Sequence, residues 1–143
     1  GAMSVGRVMS GWRLPPSVIE GYQVRGVSEL YEWQVACLRD TGALRRSSLV
    51  YTAPTSAGKT LVSEVLAARA LLLRGKGVIF VLPYISLVLE KAEYFRGLFE
   101  RERVRVVAYC SGAENPPPHA PHGDPCPELS VCTIEKAHAL VGA

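Results

Sequence analysis

The sequence predicts an α/β fold in which a parallel sheet is covered by helices on both faces. Short runs of β-branched and aromatic residues alternate with longer segments whose apolar residues recur at helical spacing. The short runs are apolar throughout, which is typical of strands buried on both faces of a parallel sheet. A glycine-containing loop also stands between the first run and the helix after it. Phosphate sites in such folds lie where helices begin, at the carboxyl ends of strands.

Length and composition indicate one globular domain. The chain has 143 residues, of which 48% are hydrophobic and 20% charged, so it can bury a core. The net charge of +3 permits an acidic partner such as nucleic acid without requiring one. The most apolar stretch, residues 77–90, is interrupted by Pro83 and Ser86, and it is shorter than the ~20 residues of a membrane span. We therefore expect a soluble, intracellular protein with no secretory signal and no membrane partner.

The four cysteines are expected to be reduced and mostly structural. Their spacing includes no C-x-x-C pair, and they are too sparse for a disulfide scaffold. His119, His122 and Cys126 lie close together in the sequence, but their segment is rich in proline and lacks a second ligand pair at zinc spacing. A metal centre is therefore the less favoured interpretation of that segment.

The N-terminal part of the chain is predicted to be helical. Residues 1–10 are interpreted as the scar of an expression tag, Gly-Ala-Met, and a leader. Residues 11–47 form a helical segment, in which "GWRLPPSVIEGYQ" indicates a short helix with prolines in its first turn. The string "GVSELYEWQVACLRDTG" predicts a second helix, with Ser28 as its N-cap and Gly42 as its end.

Residues 48–143 alternate between strand and helix patterns. Strands are predicted in "SLVYTA", "VIFVL", "VRVVAY" and "LSVCTI". Helices are predicted in "GKTLVSEVLAARALLLRG", which Gly75 ends, in "SLVLEKAEYFRGLFERE", and from "EKAHALV" onward. Residues 111–128 are a proline-rich loop without periodicity, which we expect to be exposed.

The string "APTSAGKT", residues 53–60, is typical of a phosphate-binding loop. It follows the pattern G-x-x-x-x-G-K-[ST] between a strand and a helix, with Ala53 in place of the first glycine. Gly58 would let the backbone approach phosphate oxygens, Lys59 would place a positive charge at the β- and γ-phosphates, and the Thr60 hydroxyl would bind Mg²⁺. Backbone N–H groups from residues 56–60 would point at the phosphates. The alternative is a strand-to-helix turn that contains Gly-Lys-Thr by chance.

The carboxylate that such a site needs for hydrolysis is not found. It would close an apolar strand, often as Asp-Glu, and would position Mg²⁺ and the attacking water. "VRVVAY" runs into Cys110 and Ser111, and the Glu135 that follows "LSVCTI" starts a helix with no aspartate before it. We therefore expect no catalytic residue in this sequence and negligible ATPase activity from it alone.

Several ordered motifs resemble superfamily 2 helicases of the Ski type. The strings "LVYTAPTSAGKTLVSEVL", "VIFVLPYISLVLEKAEYFRGLF" and "VCTIEKAHALV" are most similar to the helicase domains of the polymerase theta group, with the helicase Q group as the nearest competitor. The resemblance covers the chain from Gly11 onward except the proline-rich loop. It implies a partial first RecA-like lobe that stops before the DExH strand, in a fragment of a longer protein or a natural truncation.

The resemblance also implies site residues. Gln34 would recognise adenine, since an amide offers both a donor and an acceptor, although a polar residue on an amphipathic helix is the alternative. Tyr31 and Trp33 are interpreted as core or cleft-wall aromatics. The nucleotide-binding residues would be Gln34, Thr55, Ser56, Ala57, Gly58, Lys59 and Thr60. The nucleic-acid-binding residues would be Pro83, Tyr84, Ser111, Gly112 and Thr133.

The function implied is that of a fragment of an ATP-dependent DNA helicase or translocase of DNA repair in the nucleus. Its ligands would be ATP and Mg²⁺, and the partner of the parent protein would be single-stranded DNA. The alternative is a truncated isoform that binds nucleotide or a partner without hydrolysis. A small P-loop kinase is a third reading that no motif supports. An incomplete lobe would also leave apolar surface uncovered, which makes self-association of the fragment possible.

Overall fold

The computed structural model describes residues 2–40, 44, 58–110 and 126–141. The chain divides into two compact units, Gly1–Leu73 and Arg74–Ala143. The predicted strand in "SLVYTA", the helix end at Gly42, and the proline-rich loop up to residue 125 lie outside the described residues. No helix in the described ranges is long and apolar enough to cross a membrane.

The first unit is mainly helical. Its elements are β1 (Ala2–Ser4), α1 (Val5–Gly11), α2 (Pro16–Val24), β2 (Glu29–Tyr31), α3 (Glu32–Asp40) and α4 (Lys59–Arg74). The short strands β1 and β2 pair antiparallel, with Met3 opposite Leu30. Proline occupies the first position of α2, where its missing N–H costs least. The left-handed Gly75 (φ +61°) follows the last residue of α4 and ends that helix as predicted.

Residues 2–10 belong to the packed structure of this unit. Ala2 to Ser4 form β1, and residues 5–10 form most of α1, in which Val5 and Met9 are fully buried. The sequence predicts only a tag scar and a leader for residues 1–10, so neither β1 nor α1 is expected from it.

The second predicted helix starts later than expected. We expected Ser28 to be its N-cap, but α3 begins at Glu32. The Ser28 carbonyl instead accepts a hydrogen bond from the Val5 N–H (3.0 Å), and residues 29–31 pair with β1. Leu30, in the middle of this strand, is buried. Pairing with a distant segment and burial of Leu30 thus outweigh the local helical spacing.

The second unit contains the parallel sheet that the sequence predicts. Its elements are β3 (Val78–Val81), α5 (Ile85–Leu98), β4 (Arg105–Tyr109), β5 (Glu128–Cys132) and α6 (Ile134–Val141). The strand order is β3-β5-β4, and both pairings are parallel. The prediction of an α/β fold with a parallel sheet flanked by helices is confirmed.

The core of the second unit forms between the sheet and α5. The Phe95 ring on α5 meets the Phe80 ring edge to face at 5.2 Å and stacks on Phe99 at 5.9 Å. Phe80 and its neighbours in β3 do not follow the prediction of burial on both faces, because Ile79 and Val81 are exposed. These two residues share one face of β3, so that face of the strand is open to solvent in the described part of the chain.

Candidate nucleotide and nucleic-acid site

The described part of the phosphate loop lies at the start of α4. Gly58 precedes the helix with a left-handed backbone (φ +71°), and Lys59 and Thr60 are its first two residues. The Thr60 side chain is exposed and that of Lys59 is half-buried. Thr55, Ser56 and Ala57 lie outside the described residues. The Thr60 hydroxyl can therefore reach a ligand from solvent, beside the positive end of the helix dipole.

Gln34 is hydrogen-bonded to the phosphate loop. Its side chain is only 3% exposed. Its Nε2 donates to the Gly58 carbonyl oxygen at 2.9 Å, and its Oε1 accepts from the Tyr31 N–H at 2.8 Å. A side-chain amide has two N–H groups and two acceptor positions, so each of these bonds uses one of a pair. Gln34 thus has one further donor position and one further acceptor position, but at 3% exposure neither is presented to solvent, so contact with an adenine edge would need a local rearrangement.

Gly58 can be replaced by no other residue without moving Gln34. A Cβ atom at this position would lie 2.6 Å from Gln34 Nε2, which is shorter than any normal contact. The positive φ adds a backbone cost for every residue with a Cβ. The sequence pattern predicts a glycine here for the approach of phosphate. The structure adds a second reason, which no local signal could have revealed because the two residues are 24 positions apart.

The two aromatic residues next to Gln34 differ in exposure. The Tyr31 side chain is exposed, so it is not a core residue, whereas Trp33 is half-buried. Trp33 lines an open groove of about 290 Å³ together with Met3, Ala36 and Arg39. This groove borders α3 and β1, and Gln34 does not line it.

The predicted nucleic-acid residues that the structure describes lie at the carboxyl edge of the parallel sheet. The Leu82 N–H donates to the Cys132 carbonyl (2.9 Å), which places the end of β3 beside the end of β5. Pro83 and Tyr84 follow β3 and are exposed, with Tyr84 at 67%. Ser111 and Gly112 lie outside the described residues.

Thr133 lies at the same edge but is buried. Its side chain is 5% exposed. Its backbone N–H donates to the Tyr109 carbonyl at 3.3 Å, and its carbonyl accepts from the Ala137 N–H at 2.9 Å. The groups presented to solvent at this edge are therefore Pro83 and Tyr84 rather than the Thr133 hydroxyl.

A polar cluster on the sheet engages Arg105, the last of three arginines at positions 101, 103 and 105. The Arg105 Nε lies 3.6 Å from Glu128 Oε1. Tyr109 (3.2 Å) and Ser130 (2.9 Å) both donate their hydroxyls to Glu128 Oε2. Burial, followed by the nearby Glu128 charge, raises the pKa of Tyr109. Arg105 is thus engaged by β5 within the chain.

The cysteines fit the expectation of free thiols. Cys37, Cys110, Cys126 and Cys132 are all unbridged. Burial raises the pKa of the Cys37 and Cys132 thiols. Within the ranges described, no group of three or more His, Cys, Asp or Glu side chains could hold a metal ion, and His119 and His122 lie outside those ranges.

Comparison with known proteins places these motifs in a family. The model of the DEAD/DEAH box helicase family matches residues 32–141. The chain is 42% identical over 136 residues to DNA polymerase theta of Drosophila melanogaster, covering 94% of this chain and 6% of that protein. It is 36% identical over 133 residues to Helicase POLQ-like of Homo sapiens, covering 92% and 12%. A more distant relative is ATP-dependent DNA helicase Hel308 of Thermococcus kodakarensis, which is 39% identical over 72 residues that make up 50% of this chain and 6% of the relative.

The chain spans only a small part of these relatives, and the activity of a whole relative does not transfer to it directly. The family match is nevertheless broad, because it runs from α3 through α6 and includes Gln34, the phosphate loop and both strand ends described above. The resemblance predicted from the motifs is confirmed. This chain belongs to the DEAD/DEAH box helicase family.

Proposed function

We propose that this chain binds Mg-ATP as the first part of an ATP-dependent DNA helicase or translocase of the polymerase theta type. The observation that carries the proposal is the hydrogen bond from buried Gln34 to the Gly58 carbonyl. It joins a side chain able to read adenine to the residue that opens the phosphate-binding helix. Any buried amide needs a partner; what favours a nucleotide site is that the partner here is the glycine of the phosphate loop.

The residues present fit a magnesium nucleotide. Lys59 would contact the β- and γ-phosphates, the exposed Thr60 hydroxyl would bind the metal ion, and the first N–H groups of α4 would face the phosphates. Gln34 would use its second N–H and its second acceptor position on adenine after a local rearrangement, because its side chain is buried. Thr55, Ser56 and Ala57 would add loop contacts. The Mg²⁺ ion supplies charge neutralisation on the phosphates when it is bound.

Hydrolysis needs groups beyond these. The last residues of β3, β4 and β5 are Val81, Tyr109 and Cys132, none of which can orient a water molecule as a carboxylate does. We therefore propose that the chain alone binds nucleotide with negligible turnover. Turnover that depended on Lys59 would contradict this part of the proposal.

Single-stranded DNA is the proposed partner at the carboxyl edge of the sheet. Tyr84 offers an exposed ring on which a base can stack. The sugar-phosphate backbone of the DNA would be contacted by Pro83, Ser111, Gly112 and Thr133. The relatives named above carry DNA polymerase and DNA helicase in their names, which supports DNA as the partner. Thr133 would have to contribute through its backbone or after a local rearrangement, because its side chain is buried.

Calorimetric titration with Mg-ADP tests the nucleotide site. We expect binding by the unmutated chain and loss of binding in Lys59→Ala. The matched control is Lys76→Ala, which removes an exposed lysine just beyond the end of α4 and should leave affinity unchanged. Equal binding by both variants would show that Lys59 does not contact the phosphates, and no binding by any of the three proteins would refute the nucleotide site.

Fluorescence anisotropy with a labelled oligo-dT strand tests the DNA edge. Loss of one base stack weakens binding by about tenfold, so we expect Tyr84→Ala to bind oligo-dT about tenfold more weakly than the unmutated chain does. An abasic strand of equal length offers no base to stack, so it should bind the unmutated chain and Tyr84→Ala with equal affinity. Leu89→Ala, which removes an exposed side chain from α5, the helix that begins just after Tyr84, is the control. If Tyr84→Ala and Leu89→Ala bind oligo-dT equally, Tyr84 has no role in DNA binding.

A further inference from the structure

The helix that follows the phosphate loop carries a buried carboxylate. Glu64 lies on α4, four residues after Thr60, and only 4% of it is exposed. Its buried neighbours on the helix are apolar: Val62, Val65, Ala67, Ala68 and Leu71. A carboxylate at such a position is costly unless it is hydrogen-bonded.

Tyr22 on α2 provides a hydrogen bond to this carboxylate. The fully buried Tyr22 donates its hydroxyl to Glu64 Oε1 at 3.2 Å. An apolar side chain of similar size would fill the position on α4 without a desolvation cost. The carboxylate instead contributes a directional contact, since a hydrogen bond fixes the rotation of α4 relative to α2 more narrowly than apolar packing does.

Two further hydrogen bonds act on the same helix and its first turn. Arg69 Nη1 donates to the Trp12 carbonyl, just after α1. Gln34 on α3 donates to the Gly58 carbonyl at the other end. The bonded residues Gly58, Glu64 and Arg69 are spread over three turns, or about 16 Å at the rise of an α-helix. Contacts at three separate heights fix both the axis of α4 and its rotation.

The rotation of α4 determines where the phosphate-binding groups point. Lys59 and Thr60 are its first residues, and the direction of their side chains and N–H groups follows that of the helix. Glu64 is one turn from Thr60 and on the same face. A change in the hydrogen bond at Glu64 is therefore expected to reach the Thr60 hydroxyl in part.

We propose that Tyr22 is a positioning residue of the nucleotide site, acting through Glu64 to orient α4 for the phosphates of the bound nucleotide. The inference rests on the proposed function of nucleotide binding. It assigns part of the site to α2, which precedes the residues matched by the helicase family model, 32–141. Tyr22 does not touch the nucleotide, and its effect is carried by the Glu64 carboxylate.

The test compares Tyr22→Phe with a variant that weakens the same helix without changing the hydrogen bond. Tyr22→Phe removes one oxygen and keeps the ring. Val18→Ala removes two methyl groups from a fully buried side chain on α2, so it lowers the melting temperature through lost packing. Both are titrated with Mg-ADP by calorimetry well below their melting temperatures, and the binding stoichiometry reports the fraction of protein that is competent.

We expect the Kd for Mg-ADP to rise about three- to tenfold in Tyr22→Phe, the range for loss of one hydrogen bond to a charged group that is partly transmitted to the site. We expect a change of less than about twofold in Val18→Ala, although its melting temperature falls at least as far. Glu64→Gln keeps an oxygen that can accept from Tyr22, so it should bind Mg-ADP more tightly than Glu64→Leu.

The outcomes separate this inference from the proposed function. If the unmutated chain does not bind Mg-ADP, the nucleotide site itself is refuted and the positioning role falls with it. If the unmutated chain binds but Tyr22→Phe binds equally well, only the positioning role is refuted. An equal loss in Tyr22→Phe and Val18→Ala would also refute it, because the effect would then follow the stability of α2 rather than the hydrogen bond.

Discussion

Replacement of Gly58 by alanine should destabilise the first unit through its contact with Gln34. The new Cβ would lie 2.6 Å from Gln34 Nε2, so the amide must move away and its hydrogen bond to the residue-58 carbonyl is lost. A buried amide left without that bond costs about 1–3 kcal/mol. The left-handed backbone adds about 1–2 kcal/mol, and the reduced freedom of the unfolded chain returns about 0.4–1 kcal/mol. The expected loss in free energy of unfolding is therefore about 1–5 kcal/mol, with a central value near 3 kcal/mol.

A matched control separates the backbone cost from the contact. Gly26 also has a positive φ (+85°) and belongs to the same unit, but nothing lies within 4 Å of a Cβ placed there. Gly26→Ala should therefore cost only about 1 kcal/mol. The difference between the two variants measures the contact between position 58 and Gln34.

Urea unfolding followed by tryptophan emission is the assay. The two tryptophans of the chain, Trp12 and Trp33, both belong to the first unit, so their emission reports on that unit. In a Gln34→Ala background the side chain that blocks Cβ is absent, and Gly58→Ala should then cost no more than Gly26→Ala. Equal costs for the two glycine variants in the unmutated background, or no coupling between positions 34 and 58, would refute this reasoning.

Three further predictions concern the second unit. Exposed Cys126 should react with a thiol reagent such as DTNB within the mixing time, whereas buried Cys132, whose pKa is raised by that burial, should react only after unfolding in urea. Burial and Glu128 raise the pKa of Tyr109 above its ordinary 10.0. The unfolded state therefore loses its proton first, and stability should fall as the pH rises above about 10, less steeply in Tyr109→Phe. Phe95→Ala should lower the free energy of unfolding in urea by about 3–5 kcal/mol, because it leaves a cavity beside the rings of Phe80 and Phe99. A loss below about 1 kcal/mol would contradict the assignment of Phe95 to the core.

The elements with strong local signals were predictable from the sequence. The three strands of the parallel sheet coincide with apolar runs of β-branched residues, and α4 ends at a glycine that does adopt a positive φ. Proline at the first position of α2 was predicted for the same kind of reason. In each of these cases the determinant of the structure lies within the segment itself.

The elements set by distant contacts were not predictable. β1 and β2 are three residues each and pair across 27 positions, so neither carries an alternating pattern long enough to recognise. Glu64 has the residue type of an exposed helix position but is buried against a tyrosine 42 residues away. Nothing in the local sequence distinguishes it from a surface glutamate.

The same distinction applies to the nucleotide site. The tripeptide Gly58-Lys59-Thr60 specifies the chemistry, because a cation, a hydroxyl and helix N–H groups suit a magnesium nucleotide wherever they occur. Their direction is fixed by Gln34, Tyr22 and the backbone of Trp12, through hydrogen bonds that span 24, 42 and 57 positions. A motif match therefore predicts which atoms would meet the phosphates, while affinity depends on residues that the motif does not include. For this reason the most informative substitutions for nucleotide affinity are those at Gln34, Tyr22 and Glu64, because they leave every residue of the motif in place.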